Sequence, residues 1–287
     1  MAILLSGTIV QKERSQKLAE RIRDLPCPPV LAIVQVGDRT ESGEYIRFKK
    51  SFAKDIGALV RHVHLPETVA EDEVLAELKA LAADSTVSGI IIQLPLPPTL
   101  DRDRLLAAVP PQKDIDGLTE KNRSLLREGS SKAIVPATAR GIAELLDFYK
   151  IAVSNKKVAV LGRSILVGSP TAALLGSRGA IVTVCHSQTQ NTKEVTERSD
   201  IVIVAIGKPK LIGPEYLRAG QVVIDVGINV SFDQQLQEEL PRRVVVGDVD
   251  FDAVKDIVAA ISPVPGGVGP MTILALFENL VDASEKK

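Results

Sequence analysis

From Lys156 onward the chain sets short runs of β-forming residues at regular intervals: "KKVAVLGR", "AIVTVCHS", "DIVIVAIG", "QVVIDVGIN" and "VVVGDVD". Four of them are joined by short segments with helical spacing. Strands that are apolar at nearly every position must be covered on both faces, which a parallel sheet flanked by helices achieves. The expected result is a Rossmann-like parallel sheet, and no other feature narrows the fold as far.

The first half repeats this grammar less regularly. Its strand candidates are "VLAIVQVG", "LVRHVHL" and "GIIIQLPLP", separated by "ESGEYIRFKKSFAKDIG" and "AEDEVLAELKALAAD", both with helical period. After "PPQKDIDGLT", the segment "NRSLLREGSSKAIVPAT" reads as polar loop, followed by a helix "ARGIAELLDFYK". A length of 287 residues suits two domains, each able to bury its own core. The fold expected is two α/β domains flanking a cleft, with a junction near Pro136 to Gly141. Residues 1–138 plus 270–287 form the first domain and residues 139–269 the second. The final helix "MTILALFENLVDASEKK" is expected to return to the first domain.

Charge excludes some partners. The net charge is −1 with no long block of one sign, so nothing favours nucleic acid or an anionic membrane, and an anion must be gripped locally. No apolar run reaches the length of a membrane span, and "MAILLSGTIVQKERSQK" lacks a signal peptide's basic start and long apolar core. A soluble cytoplasmic protein is expected. Two cysteines, Cys27 and Cys185, read as buried thiols, and no metal-ligand spacing is present.

The stretch "KVAVLGRSILVGSP" has the order strand, glycine loop, helix, with Gly162 and Gly168 as the turn glycines. It does not spell GxGxxG, since Arg163 and Ser164 occupy positions that usually carry small residues. In an NAD site an acid about 20 residues on binds the ribose 2′-hydroxyl. Here no Asp or Glu lies between Thr183 and Lys193, so a 2′-phosphate meets no repulsion. Arg163 offers a planar cationic fork, and Ser164 and Ser187 add hydroxyls. NADP is therefore favoured over NAD; the competing reading is a tight turn with a solvated Arg163.

Ser42, Tyr45 and Lys49 share one face of a predicted helix. An amine in an apolar surrounding loses stabilisation of its charge and becomes useful for proton transfer. A solvated charged face is the commoner meaning of "RFKK", and spacing alone leaves both open. Gln93 stands at the carboxyl end of an apolar strand, where open α/β sheets place ligands, or else serves the local backbone. Asp114 and Asp116 in "KDIDG" suit a turn or a polar heterocycle. In "SPVPGGVGPMT", prolines and Gly266, Gly267 and Gly269 make a stiff, side-chain-poor wall suited to a flat ligand.

Taken in order, "YIRFK", "IIIQLPLP", "KDIDGL", "GRSILVGSP", "TVCHS", "VVIDVGIN", "GDVDF" and "PVPGGVGPMT" resemble the bifunctional methylenetetrahydrofolate dehydrogenase/methenyltetrahydrofolate cyclohydrolase family over nearly the whole chain. The resemblance implies NADP-dependent oxidation of 5,10-methylenetetrahydrofolate, hydrolysis to 10-formyltetrahydrofolate, a place in one-carbon metabolism and purine biosynthesis, and a homodimer. By the same resemblance Lys49 is the catalytic lysine, Tyr45 orders the folate, Gln93 tunes the lysine and Asp116 anchors the pterin. Arg163, Ser164 and Ser187 contact the NADP phosphate, Ile228 lies near the nicotinamide, and Pro265, Gly266 and Gly267 form part of the folate wall. No metal is implied. The chain departs from the family at "PATARG", residues 136–141, where "PCTPKG" or "PCTPRG" is common, so no thiol chemistry operates there. Two other readings stay open: a dehydrogenase with weak or absent cyclohydrolase activity, and a noncatalytic folate- or NADP-binding module.

Overall fold

The computed structural model describes residues 2–233 and 242–286. In chain order the elements are β1 (Ile3–Leu4), α1 (Gly7–Arg23), β2 (Val30–Val36), α2 (Thr40–Ile56), β3 (Leu59–Leu65), α3 (Glu71–Ala83) and β4 (Val87–Ile92). Then come α4 (Arg102–Ala107), α5 (Glu120–Arg127), α6 (Ala137–Phe148), β5 (Lys157–Leu161), α7 (Gly168–Ser177), β6 (Ile181–Cys185), α8 (Thr192–Glu197) and β7 (Ile201–Val204). The chain closes with β8 (Val222–Asp225), β9 (Asn229–Asp233), β10 (Arg242–Val246), α9 (Phe251–Val254), β11 (Ala260–Ile261) and α10 (Val268–Ser284).

Two compact units result: Lys12–Ala137 with Ile273–Lys287, and Met1–Gln11 with Thr138–Thr272. The first is built on a parallel sheet ordered β3-β2-β4. Its central strand β2 buries both faces, with Ala32, Val34 and Val36 packing among Val74, Leu78 and Leu81 of α3. On Gly89 of β4 a Cβ would come within 2.5 Å of Ile115 and 2.8 Å of Leu280, so the missing side chain lets the end of α10 close on the sheet. Asn279 of α10 fixes that approach by donating to the carbonyls of Ile115 and Val135.

The second unit carries an all-parallel sheet ordered β1-β11-β8-β7-β5-β6. Its inner strands β5, β7, β8 and β11 are buried apart from Lys157 and Val222 at the starts of β5 and β8, as their apolar runs require. Four sequence expectations are corrected here. "VVVGDVD" does not extend this sheet, because β10 pairs antiparallel with β9 in a separate ribbon; β11 and β1 complete the sheet instead. Residues 2–11 therefore sit in the second unit, although the sequence division put them in the first. The polar segment after Asn122 is not all loop: Thr119 caps α5 by accepting from the Asn122 amide. Finally, Cys185 is buried, which pushes its thiol pKa up, whereas Cys27 is exposed. Among the described residues no helix is long and apolar enough to cross a membrane.

Candidate active site

Helix α2 presents Ser42, Ile46, Lys49, Phe52, Ala53 and Ile56 on one buried face, so Lys49, 8% exposed, lies on the apolar side of the helix. Its neighbours Arg47, Phe48 and Lys50 are exposed, so the solvated face of "RFKK" is theirs and Lys49 is not part of it. Burial lowers the Lys49 pKa, and the negative charge of Asp116 opposes that fall. Lys49 Nζ donates to Gln93 Oε1 over 3.0 Å.

Gln93 is held in place from both ends. Its backbone amide continues the β2–β4 ladder by one residue, donating to Val34 O at 2.8 Å. Its side-chain amide donates to Leu94 O at 2.9 Å, so the carbonyl oxygen is the atom left to face the lysine. Tyr45, one turn before Lys49, is half-buried, and burial raises its phenol pKa.

Asp116 comes from a turn laid beside β4. Residue 114 bridges Ile90 in parallel, and the Ile90 amide donates to Lys113 O at 2.7 Å. Asp114 then accepts from the amides of Leu118 and Thr119 and from Asn122 Nδ2. Its acceptor capacity goes to the turn, so of the two acids Asp116 is the one left to meet a ligand. Gly117 makes the turn possible at φ +71°, where a Cβ would lie 2.6 Å from Ile134 O. Burial pushes the Asp116 pKa up to about 6, partly offset by Lys49.

In the second unit, β5 runs into Gly162 at φ +115°, and a Cβ there would lie 2.1 Å from Ala205 O. A Cβ on Gly168 would lie 2.1 Å from Gly162 O, so both glycines are demanded by a tight backbone cradle that closes onto the first turn of α7. Ser164 Oγ accepts from the Val167 amide at 3.2 Å, and Ser169 Oγ donates to Arg163 O at 2.9 Å. The Arg163 side chain is exposed and, among the described residues, has no ion-pair partner. Ser187 is exposed just past β6, the strand beside β5. Ile228, 47% exposed, follows β8. Pro265, Gly266 and Gly267 also belong to this unit, in the loop between β11 and α10. That loop is anchored by the N-terminal segment: Thr8 donates its amide to Gly266 O at 3.1 Å, and a Cβ on Gly7 would lie 1.9 Å from Gly267 O. This clamp across the length of the chain has no local signal in the sequence.

A parallel sheet with a glycine cradle at its strand ends, in one unit, and a desolvated amine beside an amide and an acid, in the other, define a dinucleotide-dependent enzyme with proton-transfer capacity. Comparison with known proteins narrows this. Residues 5–116 match the family model for the tetrahydrofolate dehydrogenase/cyclohydrolase catalytic domain, and residues 136–287 that for the same family's NAD(P)-binding domain. The chain is 42% identical over 283 residues to the bifunctional protein FolD of Methanoculleus marisnigri, covering 99% of this chain and 96% of that protein. The mitochondrial C-1-tetrahydrofolate synthase of Schizosaccharomyces pombe is 40% identical over 290 residues, a match that covers 99% of this chain but 29% of that longer protein. Among solved structures, the Trypanosoma brucei methylenetetrahydrofolate dehydrogenase-cyclohydrolase, complexed with NADP cofactor and inhibitor, superposes with a TM-score of 0.92 at 34% identity, covering 99% of this chain and 98% of that one. The chain belongs to the tetrahydrofolate dehydrogenase/cyclohydrolase family.

Proposed function

We propose that this chain oxidises 5,10-methylenetetrahydrofolate to the 5,10-methenyl form with NADP and hydrolyses that product to 10-formyltetrahydrofolate. The observation that carries the reading is the buried Lys49 amine held by Gln93, in the unit matched by the family's catalytic domain. NADP fits the second unit, which the family's NAD(P)-binding domain matches, because Arg163 and Ser187 are exposed beyond the ends of β5 and β6 and no acid lies between Thr183 and Lys193 to repel a 2′-phosphate. When bound, it supplies the two-electron acceptor for the first step. Gly162, Gly168 and the start of α7 would hold its diphosphate, with Arg163, Ser164 and Ser187 at the 2′-phosphate and Ile228 at the nicotinamide.

The chain's own chemistry concerns the proton. The methenyl carbon is amidinium-like and electrophilic, so hydrolysis needs water to attack it and a ring nitrogen to be protonated. A desolvated amine can take a proton from the water and return it to the nitrogen, and Lys49 is that amine. Gln93 orients its Nζ, Tyr45 packs beside the reacting rings, and Asp116 accepts hydrogen bonds from the pterin. Contacts of Pro265, Gly266 and Gly267 with folate rest on the family resemblance, as do a homodimer, a cytoplasmic location and supply of formyl groups to purine synthesis. The test is to incubate the protein with 5,10-methylenetetrahydrofolate and NADP or NAD, following reduced cofactor and methenyl absorbance together. NADP reduction with transient methenyl absorbance is expected. Persistent methenyl absorbance would leave a dehydrogenase alone, and no reduction of either cofactor would leave a binding module.

A further inference from the structure

Two acids in the second unit interlock, and among the described residues no cationic group is a hydrogen-bond partner of either. Asp225, at the end of β8 and 2% exposed, accepts from the backbone amides of Gly227, Asp248 and Val249, each at 3.0 Å. Asp248, 0% exposed, accepts in turn from the consecutive amides of Ile206, Gly207 and Lys208 at 2.6, 2.8 and 2.9 Å. Its fourth donor is Asn229 Nδ2 at 2.8 Å. The first carboxylate therefore fixes the backbone that carries the second, and the second gathers the segments following β7 and β8.

The surroundings are shaped for this pair. A Cβ on Gly247 would lie 1.8 Å from Asp225 Oδ2, and one on Gly227 would lie 2.2 Å from the Asp248 carboxyl. The Ser262 hydroxyl donates to Asp225 O at 3.2 Å and accepts from the Asp225 amide at 2.8 Å, fixing the start of the turn. Burying two carboxylates is costly, and well-packed apolar side chains would hold three loops more cheaply. What apolar packing cannot do is fix the direction of three successive N–H groups, and a carboxylate does. The segments so fixed lie at the carboxyl ends of parallel strands, where such sheets bind ligands. Between Gly227 and Asn229, both tied to the pair, Ile228 projects outward.

We propose that Asp225 and Asp248 are positioning residues of the nucleotide site, which set the 206–208 and 227–229 turns and thereby place Ile228 against the cofactor. This inference rests on the reading of the second unit as an NADP site. The burial that raises the Asp225 pKa to about 7 is consistent with two acids forced together for a positional purpose.

The test is calorimetric titration of the full chain with NADP, alongside the Tm and the Michaelis constant for the folate substrate. Asp248→Asn turns an amide N–H toward donors and should weaken NADP binding tenfold or more, with the folate constant changed by less than twofold. Asn229→Ala removes one donor and spares the backbone; it keeps the test open if Asp248→Asn fails to fold, and should weaken NADP binding severalfold. In an Ile228→Ala background the Asn229→Ala effect should shrink, since both act through one turn. A folded variant with wild-type NADP affinity would overturn the proposal, as would full additivity with Ile228→Ala or equal losses for NADP and folate. Failure of the wild-type chain itself to bind NADP would instead sink the functional reading beneath it.

Discussion

Lys49 Nζ and Gln93 Oε1 lie 3.0 Å apart, one carried on the buried face of α2 and the other just past the end of β4. Burial lowers the Lys49 pKa and Asp116 opposes the fall; a neutral amide accepts from an ammonium more strongly than from an amine, so loss of the Gln93 contact should lower it further. Gln93→Leu should shift the cyclohydrolase pH profile toward acid and lower its rate by about 10- to 100-fold. Gln93→Glu places a negative charge at the same distance and should shift the profile toward alkali. A common shift for both variants would contradict the pairing.

Arg163 offers its guanidinium to solvent at the start of the glycine cradle. If it grips the 2′-phosphate, Arg163→Ala should raise the Michaelis constant for NADP by about tenfold or more, leave that for folate unchanged, and narrow the preference for NADP over NAD. Steady-state kinetics with each substrate varied in turn will check this, and equal effects on both would count against the assignment.

Two glycines of the same region should respond oppositely to alanine. At Gly162 the φ of +115° and the 2.1 Å approach of Ala205 O mean that Gly162→Ala strains the backbone, lowering stability by about 2 kcal/mol or more. Gly176 in α7 has nothing within 4 Å of a new Cβ, so Gly176→Ala should raise stability by up to about 1 kcal/mol. Denaturant unfolding of both variants measures the contrast.

Asp116 gives stability a distinctive pH dependence. Its folded pKa, about 6, stands above its ordinary value of 3.8. The unfolded carboxyl therefore ionises first as pH rises, and the stabilisation present below about pH 4 is lost as pH climbs through about 6. Asp225, pushed up to about 7, acts with the same sign. Lys49, with its pKa lowered, acts oppositely in the alkaline range, where stability recovers as pH approaches 10.5. Asp116→Asn should therefore gain a few degrees in Tm relative to wild type between pH 4 and pH 8. A constant difference in Tm across that range would contradict the assignment.

The second unit's sheet is legible in the sequence because β5, β7 and β8 are apolar runs with short crossovers, which a covered parallel sheet satisfies, whereas β6 has a similar run yet is an edge strand left largely exposed. The sequence misleads at β10, since "VVV" reads alike whether its partner is parallel or antiparallel. Strands β1 and β11 have two residues each and carry no period at all. The sequence marks Lys49 as a candidate, but its burial depends on which face of α2 meets the sheet, and "RFKK" offers cations on more than one face. Asp225 lies in "VVIDVGIN" and Asp248 in "GDVDF", yet their interlock spans 23 residues of chain and forms only once the loops are folded together.

The most direct test of the account compares the two activities in Lys49→Met, which keeps length and apolar bulk while removing the proton-carrying amine. Methenyltetrahydrofolate hydrolysis should fall by at least about 100-fold, while NADP and folate still bind and Tm stays at or above the wild-type value. Near-normal hydrolysis of methenyltetrahydrofolate by Lys49→Met would contradict the assignment of Lys49 as the group that moves the proton.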